Sequence, residues 1–127
     1  MCCYVSMHTV AGGLAWDAFS RKGDCSGAAF KSSGGHIYAK TPLVHGFMVA
    51  GTNDAGNLPN LPNLHVDGAG KVTVELHSTL ASLKGAGGRP ALLNTEGAAL
   101  VLHANPDDYT AQPIGNAGDR IACAVIR

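Results

Sequence analysis

Apolar and polar residues alternate most regularly over Lys71–His77. Val72, Val74 and Leu76 form one set, and the residues between them are polar or charged. This pattern is typical of a β-strand with one buried face and one face in water. Asp67–Gly70 reads as a turn, and Leu64–Val66 before it reads as a short strand. The pattern therefore predicts a β-hairpin in which these two strands pair.

Two further runs, Ala98–Ala104 and Arg120–Arg127, are apolar enough to form strands buried on one or both faces. Glycine, proline and asparagine are spread along the whole chain, and long apolar stripes of helical period are absent. An all-β fold is predicted. The stretch from Gly34 to Pro62 has almost no strand pattern, and a loop of that length in a compact domain is usually functional or disordered.

The first 21 residues do not match the rest of the chain. Segments such as Trp16–Ser20 show neither alternation nor a helical face, so no element is predicted there. We divide the chain into an atypical segment, 1–21, and one domain, 22–127.

Composition narrows the function classes. The chain has 127 residues, and its nine basic and nine acidic side chains cancel. Without net charge there is no global field to hold nucleic acid or an anionic membrane, so neither is predicted as a partner. No apolar stretch reaches the length of a membrane span, and Met1–Val10 lacks the pattern of a secretory signal. Taken literally, the chain stays in the cytoplasm.

Histidines are the candidate metal ligands. His36 and His45 lie in the long loop, and His103 ends a predicted strand. Imidazoles held by separate loops and strands suit copper or zinc, although isolated histidines are more often ordinary surface or core residues. None of the four cysteines belongs to a Cys-x-x-Cys pair, which argues against a thiolate zinc site.

Several motifs occur in a fixed order, and together they resemble bacterial copper/zinc superoxide dismutase from about Lys22 to the C-terminus. They are Gly23-Asp24-Cys25-Ser26, Phe30-Lys31-Ser32-Ser33-Gly34-Gly35-His36, Gly56-Asn57-Leu58-Pro59-Asn60, Leu102-His103-Ala104-Asn105-Pro106-Asp107-Asp108-Tyr109 and Gly115-Asn116-Ala117-Gly118-Asp119-Arg120-Ile121-Ala122-Cys123-Ala124-Val125-Ile126.

The resemblance implies a Greek-key β-barrel of the immunoglobulin-like sandwich type. It implies copper and zinc as cofactors and superoxide as substrate, with two superoxide anions and two protons giving dioxygen and hydrogen peroxide. It also implies a periplasmic or extracellular location and leaves monomer and homodimer open.

Residue roles follow by the same resemblance. His36 matches the histidine that bridges copper and zinc, His45 a zinc ligand and His103 a copper ligand. Asp107 matches a carboxylate that orients ligand histidines. Arg120 matches the arginine that draws superoxide to copper, although such a residue alone is more often a surface ion-pair partner.

Cys25 and Cys123 match the disulfide of the family, whereas in a reducing cytosol they would be free thiols. The remaining histidines, His8, His65 and His77, are predicted to face solvent.

The chain departs from the family pattern at both metals. The family has a His-x-His pair just before Lys22, where this chain has Ala18 and Ser20, so at most His36 and His103 remain as copper imidazoles. Asp54 stands at a zinc histidine position and Asn57 at an aspartate position. Zinc is therefore expected to bind weakly or not at all, through His36, His45 and Asp54.

The atypical segment also stands where the family has further strands, so the barrel is expected to be N-terminally incomplete. An unpaired edge and an uncovered apolar face would then favour self-association.

The genetic code suggests an origin for the atypical segment. Codons for Val10–Arg21 can be chosen that, read one base later, encode Leu-Pro-Ala-Gly-Leu-His-Gly-Met-His-Phe-His-Glu, which contains the missing motif. We hypothesise that this segment is an out-of-frame translation rejoining the family frame at Lys22. Sequencing the locus tests this, because the idea fails if no nearby frame encodes the motif.

Two functions follow from the sequence. The first is a superoxide dismutase with impaired activity. The alternative is a non-catalytic metal-binding or interaction module, or the product of a pseudogene.

Overall fold

The computed structural model describes residues 2–7, 13–38, 41–54 and 63–126. Within them the backbone forms two sheets and one short 3-10 helix. Strand β1 pairs with β4 in a two-stranded sheet, and a four-stranded sheet has the order β3-β2-β5-β6. The elements are β1 (Cys2–Met7), β2 (Gly13–Ser20), the 3-10 helix (Ala28–Ser33), β3 (Leu64–Val66), β4 (Val72–His77), β5 (Ala98–His103) and β6 (Arg120–Ile126).

The four strands that the residue pattern predicts are all present, as β3, β4, β5 and β6. In β4, Val72 and Val74 are half-buried against the core, whereas Thr73, Glu75 and His77 are exposed. Strand β5 is buried along its whole length, with Leu100 and Leu102 in the core and Val101 fully covered. Strand β6 ends at Ile126, and its residues alternate less regularly.

The predicted hairpin is wrong in its pairing. The turn is present, since Asp67 Oδ1 accepts hydrogen bonds from the backbone N–H groups of Ala69 and Lys71. However, β3 pairs with β2 and β4 pairs with β1. The turn therefore carries the chain from one sheet to the other. Alternation identifies a half-buried strand but does not identify its partner.

The expectation that residues 1–21 supply no strand is also wrong. β1 pairs with β4 from Cys2↔His77 to Met7↔Val72, and β2 pairs with β5 from Trp16↔His103 to Ser20↔Ala99. Backbone pairing can build a strand from a segment without alternation when well-patterned neighbours provide the template.

The core lies between the sheets and is built mainly of aliphatic side chains. Its buried members are Ile37, Leu64, Ala81, Leu92, Ala98, Leu100 and Leu102. No helix in the described part of the chain is long and apolar enough to cross a membrane.

Candidate metal centre

In its described residues, 34–38 and 41–54, the long loop is held by isolated bridges and forms no strand. His36 bridges to Ser20 at the end of β2, and Tyr38 bridges to Asp54. Asn53 fastens the intervening turn, because its side chain accepts from the Val44 N–H and donates to the Pro42 carbonyl. These contacts bring His36, His45 and Asp54 to one place, although they are up to 18 residues apart.

Asp54 is the centre of a buried polar group that we call the Asp54 cluster: His36, His45, Asp54 and Asp107. Asp54 Oδ2 lies 2.8 Å from His36 Nδ1 and 3.0 Å from His45 Nδ1. On the far side of the ring, His45 Nε2 lies 3.1 Å from Asp107 Oδ1. All four side chains are buried.

Asp107 is positioned by its neighbours. Asn63 accepts a hydrogen bond from the Asp107 N–H and donates another to its carbonyl, and Tyr109 N–H donates to Asp107 Oδ1. Gly115 lies so close that a Cβ there would collide with the Asp107 carboxylate and the His45 ring. Its φ of +60° also favours glycine. The carboxylate therefore has little freedom to turn away from His45.

The two carboxylates control the protonation of His45. Burial by itself lowers the pKa of this imidazole, but hydrogen bonds to Asp107 and Asp54 outweigh burial and raise the pKa to about 9. At neutral pH without a metal, His45 is thus an imidazolium that donates from both ring nitrogens. The cluster is built to hold a cation, which can be this proton or a metal ion.

The donor geometry of the Asp54 cluster fits one zinc-sized ion. Ligand atoms of His36, His45 and Asp54 all lie within 4.8 Å of one another. Donors in a tetrahedral zinc site with bonds of about 2.0 Å stand about 3.3 Å apart, so small shifts would admit an ion. The fourth predicted position, Asn57, lies outside the described residues.

The side of His36 where copper is predicted has fewer donors among the described residues. The rings of His36 and His103 have centroids 6.2 Å apart, and His103 Nδ1 donates to the Gly118 carbonyl at 3.1 Å. Burial, with a smaller contribution from the Arg120 charge, lowers the pKa of His103 to about 4, so this ring is neutral at pH 7. A neutral ring whose other nitrogen is fixed by a carbonyl is suited to metal binding.

At the two positions that match the family's His-x-His pair, β2 has Ala18 and Ser20 in place of imidazoles. Ala18 pairs with Val101 and Ser20 with Ala99 in β5, the strand that ends at His103, and Ser20 also bridges to His36. Ala18 has no donor atom. Ser20 is buried, and its hydroxyl makes no hydrogen bond within the described residues. Two imidazoles and a buried serine do not fit the nitrogen-rich site that copper takes in redox enzymes.

Arg120 lies at the rim of a surface cavity of about 400 Å³, which we call the Arg120 cavity. Its guanidinium donates to the Phe30 and Gly34 carbonyls at 3.0 Å and 2.7 Å. The lining residues are Arg21, Ala29, Lys31, Gly35, His36, Tyr38, Leu43, His103, Pro113, Ile114, Gly118, Asp119 and Arg120.

Cys25 and Cys123 form a disulfide with a Cα–Cα distance of 5.7 Å, as the resemblance implied. The bond fastens the segment before the 3-10 helix to β6, the strand that begins at Arg120. Together, the disulfide and the arginine hold one wall of the cavity to the sheet.

Sequence reasoning missed several supporting residues. Gln112 accepts from the His45 N–H at 3.0 Å and donates to its carbonyl at 2.7 Å. Asn63 supports Asp107 across 44 residues. No local motif signals such contacts, because each joins loops that are distant along the chain. His65 and His77 are exposed as predicted, and His8 lies outside the described residues.

Comparison with known proteins agrees with this architecture. The family model for copper/zinc superoxide dismutase matches residues 18–126, close to the start predicted at Lys22. A copper/zinc superoxide dismutase of Caulobacter vibrioides is 52% identical over 114 residues, which cover 88% of this chain and 64% of the relative. One from Aquifex aeolicus is 41% identical over 108 residues, covering 84% and 59%.

A crystal structure of a superoxide dismutase-like protein from Bacillus subtilis superposes with a TM-score of 0.85 at 31% identity. The match covers 99% of this chain and 81% of that one. The chain therefore belongs to the copper/zinc superoxide dismutase family and has its all-β fold. It spans 64% of the Caulobacter relative and 59% of the Aquifex relative.

Proposed function

We propose that this chain is a dismutase-family protein that retains a zinc-type site but has little or no dismutase activity. The observation that carries the proposal is that β2 has Ala18 and Ser20 at the positions of the family's His-x-His pair. Ser20 is buried, and its hydroxyl makes no hydrogen bond within the described residues. Redox cycling needs a copper ion held firmly in both oxidation states. Two imidazoles are too few for that.

The zinc-type site consists of His36, His45 and Asp54, with Asp107 orienting His45 from behind. Zinc, when bound, would fix the ring of His36 and replace the proton on His45. With only these three described donors, the site is weaker than a four-ligand structural zinc site. This arrangement favours the second candidate function, a non-catalytic metal-binding module.

Partners and location follow from the family. Superoxide would be the substrate of any residual activity, with Arg120 at the cavity rim to attract it. The disulfide between Cys25 and Cys123 suits an oxidising compartment such as the periplasm. Monomer and homodimer both remain compatible with the proposal.

The experiment is dismutase turnover per bound copper, measured on the full chain after loading with both metals. The comparison variant is the double substitution Ala18→His with Ser20→His. We expect negligible turnover for the original chain and a gain of several orders of magnitude for the variant. Turnover of the original chain close to that of an intact dismutase would overturn the proposal.

The variant can fail to fold, because Ser20 is buried. For that case, copper binding by the original chain provides a second readout. Firm binding of one copper per chain at the His103 side would equally contradict the proposal.

A further inference from the structure

Gln112 is an exposed residue of the loop after Asp107, and its side chain bonds the backbone of His45 at two points. We propose that Gln112 is a positioning residue for metal binding, which holds the His45 backbone so that Nδ1 of the ring faces the metal position. The inference rests on the proposed zinc-type site and names a residue outside its donor set that sets its affinity.

The amide of Gln112 pairs with both backbone groups of His45. Its Oε1 accepts from the His45 N–H at 3.0 Å, and its Nε2 donates to the His45 carbonyl at 2.7 Å. Two such bonds fix orientation as well as position, as they do between the paired residues of two strands. His45 lies in the long loop, which forms no strand in its described residues, so the amide supplies the pairing that a strand would give.

The amide is itself held in one orientation by its own loop. Gln112 Nε2 also donates to the Thr110 carbonyl at 3.2 Å, so both N–H groups of the amide have acceptors. The Gly115 N–H donates to the Ala111 carbonyl at 2.7 Å, which closes a turn around Gln112. Rotating the amide by half a turn would set Oε1 against two carbonyl oxygens. The side chain is therefore fixed in place before a metal binds.

The backbone position of His45 decides where its ligand atom lies. Nδ1 is the ring nitrogen nearer the main chain, and it lies 3.0 Å from Asp54 Oδ2. Nε2, at the far end of the ring, lies 3.1 Å from Asp107 Oδ1. A ring held only at its far end still swings its near nitrogen when the backbone shifts, and ligand atoms must stay within about 0.5 Å of the productive geometry. Gln112 and Asp107 thus hold the two ends of one ligand.

The other partner of the contact between His45 and Asp107 is held in the same way. Asn63 Oδ1 accepts from the Asp107 N–H at 2.8 Å, and Asn63 Nδ2 donates to the Asp107 carbonyl at 3.1 Å. Each of the two bonded side chains therefore stands on a backbone that a distant amide holds at two points. This repetition supports a positioning role for Gln112 over an incidental surface contact.

The test is titration of the full chain with cobalt(II), which occupies zinc sites and absorbs visible light, followed by competition with zinc at one fixed pH. Gln112→Met keeps the side-chain length and removes both hydrogen bonds. We expect zinc affinity to fall about tenfold. The cobalt absorption bands of the saturated variant should also change, because the His45 donor is displaced. A merely structural role would weaken binding and leave the bands of the saturated site unchanged, and that result would overturn the proposal.

Gln112→Asn is the conservative variant, and it carries the test if Gln112→Met does not fold. It keeps the amide on a side chain one methylene shorter, so it should lose less affinity than Gln112→Met. Asn94→Leu is the matched control. Asn94 is exposed, and its amide also accepts from one backbone N–H, that of Glu96 at 2.9 Å, and donates to one carbonyl, that of Ala91 at 3.4 Å. Its substitution should leave affinity and bands unchanged. Equal losses in the Gln112 variants and the control would contradict the proposal.

A double-mutant cycle checks that Gln112 acts through His45. Gln112→Met combined with Asp107→Asn should lose less zinc affinity than the product of the two single losses, because both substitutions release the same ring. Independent losses would overturn the proposal. If the original chain binds neither cobalt nor zinc, the proposed zinc-type site fails and this inference fails with it. Equally tight binding by the original chain and by Gln112→Met would refute this inference alone.

Discussion

His36 separates two regions that have diverged. On its Nδ1 side, the Asp54 cluster is complete enough to hold a cation: donors converge, a carboxylate supports His45, and every group is buried. On its other side, His103 is well placed, but β2 offers Ala18 and Ser20 where further nitrogen donors would be needed. We infer that one ion's ligands can be lost while the neighbouring ion's pocket stays organised, because different elements supply all the donors except the shared His36.

The largest expected effect is a loss of zinc affinity that distinguishes the Asp54 cluster from the His103 side of His36. Asp54→Ala removes the carboxylate shared by both imidazoles, so zinc affinity should fall more than about 100-fold. His103→Ala, on the opposite side of His36, should change zinc affinity by less than about threefold, since His103 is outside the three-donor group. Competition titration with a zinc-sensitive dye measures both. Equal losses would mean that the two sides do not act separately.

Zinc affinity should depend steeply on pH. His45 must lose a proton to bind a metal through Nδ1, and its pKa without metal is about 9. Apparent affinity should therefore rise about tenfold per pH unit from pH 6.5 to 8.5 and level off near pH 9. The same titration repeated across pH checks this. A flat profile would show that zinc does not displace this proton.

A smaller loss is expected when the support of His45 is removed. Asp107→Asn should weaken zinc binding about 10- to 100-fold at pH 9, where protonation of His45 no longer dominates. Asp108→Asn is the control, because Asp108 is the adjacent carboxylate but is exposed and binds the backbone N–H groups of Thr110 and Ala111. If both variants lose affinity equally, Asp107 has no specific role in orienting the ligand.

A separate effect concerns the stability of the metal-free chain. The raised pKa of His45 stabilises the fold below pH 6.5, and this contribution is lost as pH rises through about 9. The lowered pKa of His103 acts in the opposite direction: stability falls as pH drops from 6.5 to about 4.

The loss of stability on each limb of this pH profile, above and below pH 6.5, should amount to about 3 kcal/mol. Urea unfolding from pH 4 to 9 should give a maximum near pH 6.5. His45→Gln should flatten the alkaline limb, and His103→Gln the acid limb. If neither variant changes its limb of the stability profile, the two pKa shifts do not contribute to stability. That result would contradict the predicted electrostatic difference between the two regions.

The pattern of apolar and polar residues predicted the positions of strands whose burial depends on their own sequence. The alternation at Val72 and Val74 and the continuous apolar run of β5 are decided by which faces are buried, so those strands were predictable. The partners of β3 and β4 were not, because alternation says nothing about which backbone lies alongside. Strand β1 was missed for the same reason, since its extended form depends on pairing with β4.

The residues of the candidate site likewise fall into those that the sequence could identify and those that it could not. His36, His45, Asp54, His103, Asp107 and Arg120 could be found because they stand in motifs that resemble a known family. Asn63 and Gln112 could not, because their roles come from contacts made only when distant loops meet. The out-of-frame origin of residues 1–21 stays a prediction for the gene sequence to test.

The most direct test of whether one half of the metal centre has been lost is electron paramagnetic resonance of the full chain. The protein is first saturated with zinc and then given one equivalent of copper(II). Nitrogen hyperfine structure counts the imidazoles on copper. We predict at most two nitrogen donors, together with loss of copper on mild gel filtration. A retained copper ion with four nitrogen donors would contradict the account.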